Sequence, residues 1–360
     1  MIYTDVGLIK GKKVLILFFA MCFRCQFLLA QNVPAKYIAY HTMDEISIDG
    51  KANEQSWNNA PWTTNFIDIS TKTSPRFDTK MKMLWDKKNL YFYVTMEEPH
   101  VWGNITQRDA VIFHNNDFEV FIDPDGDTHN YYEFEINALN TVWDLMLSRP
   151  YRYGAKVDNG WNIKGLQSAI HVDGTLNNPT DIDKGWSVEI AMPWKAFKTK
   201  KWRKLKPKNN FWRFNFSRVQ WKHTIENNEY SRELNSKTGK PKKEDNWVWS
   251  PQGVVSMHIP EKWGYVYFSD KKSGETDEWE IPTDEHLKRE LYKSFYAVRG
   301  NKFINNNQEL DPIQLSNKYI MPKIIQNKKG WVVQVKSPFT NKIMNISQDG
   351  KFTYNAKKNN

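Results

Sequence analysis

From Ile46 to about Phe268, apolar and polar positions alternate in short runs broken by Gly, Pro, Asn and Asp. "MKMLWDKKNLYFYVTMEE" reads as strand, polar turn, strand. In "GWSVEIAMPW", Trp186, Val188, Ile190 and Met192 share one face, and Ser187 and Glu189 the other. "FWRFNFSRVQW" sets Trp212, Phe214 and Phe216 against Arg213, Asn215 and Ser217. Side chains two apart point to the same side of a strand, so each run has one face to bury and one to leave polar. Many such strands with turns between them predict an all-β fold, an antiparallel β-sandwich of jelly-roll or immunoglobulin-like type. "PWKAF" is a short helical or turn segment, and no repeat of solenoid length is visible.

The stretch "NNDFEVFIDPDGDTHNYYEFEIN" (115–137) follows the pattern with a complication. Phe118, Val120 and Ile122 oppose Asp117 and Glu119, and after a tight turn Phe134 and Ile136 oppose Glu133, Glu135 and Asn137. A hairpin that buries the apolar face gathers several carboxylates on the other. Like charges opposed across a ladder destabilise it. The face must therefore serve a metal, a catalytic pair, a polar ligand or solvation.

After Phe268 the character changes. "SDKKSGETDEWEIP" is a polar linker, and "TDEHLKRELYKSFYAV" has Leu287, Leu291 and Phe295 at helical spacing, with Thr283 placed to cap it. "WVVQVKS" and "FTYN" follow as strands. The chain thus divides into residues 1–30, a sandwich over 31–270, and a small α+β extension over 271–360 that suggests no chemistry.

The first thirty residues explain themselves. Lys10, Lys12 and Lys13 lead into "VLILFFAMCFRCQFLLA", and Ala30 precedes a polar run from Gln31. This is the pattern of a secretory signal peptide cleaved after Ala30, giving a secreted, periplasmic or cell-surface protein without a membrane span. Arg24 interrupts an apolar run already short for a bilayer. Both cysteines, Cys22 and Cys25, lie in the leader, so the mature chain has no disulfide, thiol nucleophile or thiolate metal site. Removing four basic residues and one acidic residue takes the net charge from +10 to +7. The surplus sits in runs such as "KTKKWRKLKPK" (198–208) and "KTGKPKK" (237–243), which in an exported protein read as solvated loops rather than a nucleic-acid surface.

Chemistry is sparse. The histidines are scattered without HExxH or a close pair, and no phosphate-binding glycine loop or Ser-centred elbow occurs. "DPDGD" places Asp123, Asp125 and Asp127 around Gly126, a spacing in which oxygen ligands can converge on Ca²⁺. An EF-hand loop beginning at Asp123 needs glutamate at its twelfth position, where Phe134 stands. Aromatics are abundant, with 16 Trp, 16 Tyr and 20 Phe, more than one core usually takes. Sugars offer apolar C–H faces ringed by hydroxyls and suit flat aromatic platforms with polar rims. Trp102 lies in the polar, loop-like "EEPHVWGNITQRD" and is expected to be exposed. Trp143 follows the acidic hairpin, and Trp247 and Trp249 alternate in "EDNWVWSP".

Five blocks occur in order: "SIDGKANEQSW", "LWDKKNLYFYVTMEEPHVW", "RDAVIFHNNDFEVFIDPDGD", "GWSVEIAMPWKAF" and "WSPQGVVSMHIPEKWGYVYF". Together they resemble the carbohydrate-binding module family 9-like domain, a sugar-binding β-sandwich known from xylanases and exported bacterial proteins, over roughly residues 38–268. The resemblance implies an exported, non-catalytic partner of oligo- or polysaccharides. It implies two tryptophans clasping a terminal sugar ring, best matched by Trp102 and Trp249, with Glu135 and Asn137 as hydroxyl partners. Asp109 and Trp143 complete the candidate set. It also implies structural Ca²⁺ at Asp123, Asp125 and Asp127. Two alternatives stay open: a glycoside hydrolase using paired carboxylates, and a haem-binding electron-transfer subunit, since related domains also occur in haem-bearing oxidoreductase subunits.

Overall fold

The computed structural model describes residues 33–197, 207–300, 309–328 and 330–355. The leader and most of the 198–208 basic run lie outside these residues. The first strands are β1 (Lys36–His41), β2 (Ile67–Asp68), β3 (Thr79–Trp85) and β4 (Asn89–Glu97). The acidic hairpin forms β5 (Asp117–Asp123) and β6 (Tyr131–Asn137), followed by β7 (Val142–Leu147) and β8 (Val157–Asp158). Next come β9 (Gln167–Asp173), β10 (Gly185–Pro193), β11 (Asn210–Gln220), and the outer hairpin β12 (His223–Glu226) and β13 (Glu229–Arg232). Strands β14 (Asp245–Val248) and β15 (Gly264–Lys272) close the sandwich.

The hydrogen-bonded order is β8-β7-β6-β5-β11-β15-β1-β3-β4-β10-β9, with β14 joining β11 to β2. The path is continuous, yet its two ends face each other as the layers of a sandwich. The long strand β11 makes the corner: Asn210–Phe214 pair with β15, while Ser217–Gln220 pair with β14. All pairings are antiparallel except those of β1, which runs parallel to both β15 and β3. The alternation predicted from sequence is what fills the core. Met81, Phe92 and Val94 of one layer meet Phe118, Val120, Phe134, Phe214 and Phe216 of the other, all buried. Phe92 touches Phe216 edge-on at 5.7 Å between centroids.

The helix expected after the linker spans Thr283–Arg299 and buries Leu287, Leu291 and Phe295 completely. Its start differs in detail. Pro282 occupies the cap position and no side chain caps the helix, so Thr283 is its first residue instead. The hydroxyls of Ser337 and Thr340 bond to the Asp284 carboxylate, each at 2.5 Å, which ties the first turn to the strands beyond. Those strands are β16 (Ile313–Leu315), β17 (Lys318–Ile320), β18 (Lys323–Asn327), β19 (Gly330–Lys336), β20 (Ile343–Ser347) and β21 (Phe352–Asn355). Sheet β18-β19-β20-β21 packs Val333, Val335, Met344 and Ile346 against the helix as a second core. Among the described residues no helix is long and apolar enough to cross a membrane.

The extension does not float. It sits on the β5–β6 turn, where Lys288 Nζ donates to Gly126 O at 2.6 Å and the Phe352 amide to Asp127 O at 3.1 Å.

Candidate functional site

The polar face of the acidic hairpin becomes the floor of a cleft. Strand alternation turns Asp117, Glu119, Glu133 and Glu135 away from the core, as the sequence predicts. Register then sets Glu119 directly opposite Glu135, and Glu135 opposite Trp143 on β7. On the other side Ser217 and Val219 of β11 lie opposite Glu119 and Asp117. The Asn215 side chain bonds both ways to the Ser250 backbone at 2.9 Å, fixing the start of the loop after β14. That loop continues to Met257 and His258, which help to roof the cleft. Its volume is about 390 Å³, with Glu119, Glu133, Glu135, Trp143, Tyr151 and His258 in its lining.

The floor is electrostatically unusual. Asp117 is fully buried and neither of its carboxylate oxygens completes a hydrogen bond. Burial raises its pKa well above the ordinary carboxylate range, and the charge of Glu119 adds to this. Burial likewise pushes Glu119 up to about 7. Glu133 and Glu135 are raised by burial and then by Glu119, although the Phe113 amide donates to Glu135 Oε2 at 3.0 Å. The nearest cationic candidate is His258, whose Nε2 is 3.9 Å from Glu133 Oε1. Burial, with Arg152 nearby, lowers that imidazole to about 4, so it is neutral at pH 7.

The two tryptophans expected to clasp a sugar are elsewhere. Trp102 is 2% exposed rather than open to solvent. The β12–β13 hairpin folds over it, and it packs with Val219, Trp221 and Tyr230. Trp249 is also buried, in the main core, 5.4 Å from Phe216 between ring centroids. Neither lines the cleft beside Glu135. Asn137 is buried and committed to its own turn: its Nδ2 donates to Ile105 O, and its Oδ1 accepts from the Leu139 and Thr141 amides. Asp109 sits with φ +61°, its carboxylate 3.6 Å from Arg108 and its amide bonded to Val142 O. Of the expected sugar contacts, only Glu135 and Trp143 meet in the cleft. Trp143 is half-buried, and its Nε1 has no hydrogen-bond partner. Tyr151 and His258 were missed because no local pattern marks them; loops bring them to the strand face. Glu119 and Glu133 were visible as face-mates in the alternation.

The Asp123, Asp125, Asp127 turn is a separate cluster, its carboxylate oxygens converging within 4.8 Å of one another. Such a donor set fits a hard cation. The chain also supplies its own partners there. Amides of Gly126 and Thr128 bond to Asp123 at 3.1 and 2.8 Å, and Lys351 pairs with Asp127 at 3.3 Å.

No curated protein matches the chain. Residues 48–216 match the family described as carbohydrate family 9 binding domain-like. Over these residues the sandwich resembles a family 9-like carbohydrate-binding domain. The matched residues include β5, β6 and β7, hence the acidic floor and Trp143, while the 254–258 loop and the C-terminal extension lie beyond them. Among solved structures, the chain is similar to a carbohydrate-binding module family 9 from Caldicellulosiruptor kristjanssonii in complex with cellotriose. That match has 14% identity and a TM-score of 0.43, covering 69% of this chain and 98% of that one. A protein from Bacteroides uniformis ATCC 8492, described as a candidate carbohydrate-binding protein, matches at 15% identity and TM-score 0.47, over 66% of this chain and 100% of its own. The C. kristjanssonii module in complex with glucose matches at 16% identity and TM-score 0.41, over 68% and 100%.

Proposed function

We propose that this protein is exported and binds oligo- or polysaccharide non-covalently in the β5–β6–β7 cleft of its family 9-like domain, in support of polysaccharide breakdown. The observation that carries this is the juxtaposition of Trp143 and Glu135 on neighbouring strands. An indole face suits the C–H side of a pyranose. Carboxylates beside it accept hydroxyls, two at a time where geometry permits. Tyr151, half exposed, supplies a second aromatic edge at the mouth.

Binding fits this geometry better than hydrolysis. Glycosidases place two carboxyls on either side of the scissile bond. Here Asp117, Glu119 and Glu135 crowd one floor, with oxygens within 4.8 Å of one another. The raised pKa of Glu119 is the one feature that favours a hydrolase, since a general acid must hold its proton near neutrality. A glycan array followed by calorimetry on the best ligand tests binding, and a reducing-sugar assay on the same glycan separates the two. Binding without product supports a module; steady release of reducing ends identifies an enzyme.

Structural Ca²⁺ at Asp123, Asp125 and Asp127 belongs to the same proposal, held in competition with the lysines that already neutralise the turn. Lys288 lowers the cost of the Asp123 charge and Lys351 pairs with Asp127. Calcium that stabilises the protein through this turn must lose its effect in Asp125→Asn.

A further inference from the structure

We propose that the cleft floor is a divalent-cation site, ligated by Asp117, Glu119 and Glu135 and suited to Ca²⁺. Each residue offers an oxygen, and the three lie within 4.8 Å of one another. Ca–O distances of about 2.3–2.6 Å allow two ligands of one ion to be up to about 5 Å apart, so the spacing is compatible with a shared ion.

The second observation is the state of Asp117. It is completely buried, and neither oxygen completes a hydrogen bond; its one support is the Val219 amide, which partly offsets the charge. A buried carboxylate without a partner is costly. Among the described residues, other buried carboxylates have strong partners. Glu98 has Arg218 at 3.0 Å, and Glu261 has Arg152 at 2.8 Å. Asp144 has Arg108 and the Ile163 amide, and Glu189 receives the Asp49 and Gly50 amides and the Trp57 indole. The floor departs from this rule at Asp117, and Glu135 has only the Phe113 amide. Among the described residues no lysine or arginine forms an ion pair with Asp117, Glu119 or Glu135. A dication replaces the missing charge in one step.

The donors are all carboxylate oxygens, which select hard cations over zinc or copper. Ca²⁺ takes 6–8 ligands in flexible geometry, so three carboxylates leave several positions for water or for ligand oxygens. Of the three, Glu119 and Glu135 also line the cleft, beside Glu133 and Trp143, while Asp117 lies beneath it. On the carbohydrate reading, on which this last step rests, neighbouring hydroxyls of a sugar stacked on Trp143 complete the shell. The ion site itself does not depend on that reading.

The test titrates Ca²⁺, and Mg²⁺ in parallel, into metal-stripped protein by calorimetry and thermal melting. Asp117→Asn and Glu135→Gln report on the floor, and Asp125→Asn on the turn. The parent should bind Ca²⁺, with affinity falling at least tenfold in both floor variants and persisting in Asp125→Asn. In chelator Asp117→Asn should melt above the parent, since it removes a buried ionisable carboxyl that no cation offsets, and the order should reverse in millimolar Ca²⁺. An absence of Ca²⁺ binding overturns the site. So does binding that Asp125→Asn abolishes and the floor variants retain. Glycan affinity that survives chelation overturns the bridging role and leaves the ion in place. Failure to bind any glycan with Ca²⁺ demonstrably bound counts against the carbohydrate reading and not against the site.

Discussion

Tyr230 lies flat over Trp102, with ring centroids 6.0 Å apart and planes 11° from parallel. The indole that the sequence offers as an open platform is therefore already stacked, on a residue of the β12–β13 hairpin. Truncating it empties a packed space, along with one wall of a cavity of about 410 Å³ that it shares with Asn104, Asn115 and Arg232. Trp102→Ala should cost about 3–5 kcal/mol of stability, seen as a large drop in melting temperature. Glycan affinity should be retained at temperatures where the variant is folded. Loss of affinity without loss of stability would return the sugar site to Trp102.

Trp143 should behave in the opposite way. It is half-buried on the cleft floor beside Glu135, one side packed on the cluster around Leu145 and Phe121, so its loss removes a stacking surface and only part of a packed one. Truncating an aromatic hot spot costs about 2 kcal/mol or more, and about 1.4 kcal/mol is tenfold in Kd. Trp143→Ala should weaken glycan binding more than tenfold, with a smaller drop in melting temperature than Trp102→Ala. Calorimetry and a thermal melt on one preparation decide the matter.

These two tryptophans show where local pattern suffices and where it does not. The period-two alternation over 117–137 is enough to orient the acidic face, because burying Phe118, Val120 and Phe134 leaves the carboxylates only one direction. Likewise i, i+4, i+8 spacing of Leu287, Leu291 and Phe295 specifies both a helix and its buried side. Exposure of a loop tryptophan is a different kind of quantity. The neighbours of Trp102 in sequence are polar, but its neighbours in space, Trp221 and Tyr230, arrive from more than a hundred residues away. The turn at Gly126 makes the same point, since Lys288, 162 residues downstream, donates to its carbonyl. No spacing rule encodes such partners.

Trp249 is held against a glycine, which gives a second check on its core role. A Cβ built on Gly264 would come 2.4 Å from Trp249 Cζ3 and 2.7 Å from Ala35 O, below any ordinary contact. The backbone atom cannot yield easily, so the indole must move within a core it shares with Phe216. Overpacking of this kind costs about 1–3 kcal/mol. Gly264→Ala should lower the melting temperature accordingly while leaving glycan affinity within twofold, because the cleft is built on other strands. An unchanged melt would mean that Trp249 has room it does not show.

Arg213 and Glu285 join the two cores. The guanidinium is 2% exposed, lies 4.1 Å from the Tyr265 ring centroid, and donates to Gly264 O and Glu261 O at 3.2 Å. Its counter-charge comes from the extension: Glu285 Oε2 is 3.7 Å from Nη1, and it also accepts from the Tyr265 hydroxyl at 3.2 Å and meets Lys288 at 3.4 Å. Removing one member of a buried pair strands the other, a loss of about 3–5 kcal/mol. Glu285→Gln keeps the shape and an acceptor for Tyr265 but leaves Arg213 and Lys288 without their carboxylate. Because this pair and the Lys288–Gly126 bond cross between sandwich and extension, the parent should melt in one calorimetric transition, and Glu285→Gln should move that whole transition down. Two transitions, with the sandwich unmoved by the substitution, would mean that the extension is an independent domain resting on the turn, and that the ion pair contributes nothing to holding the sandwich together.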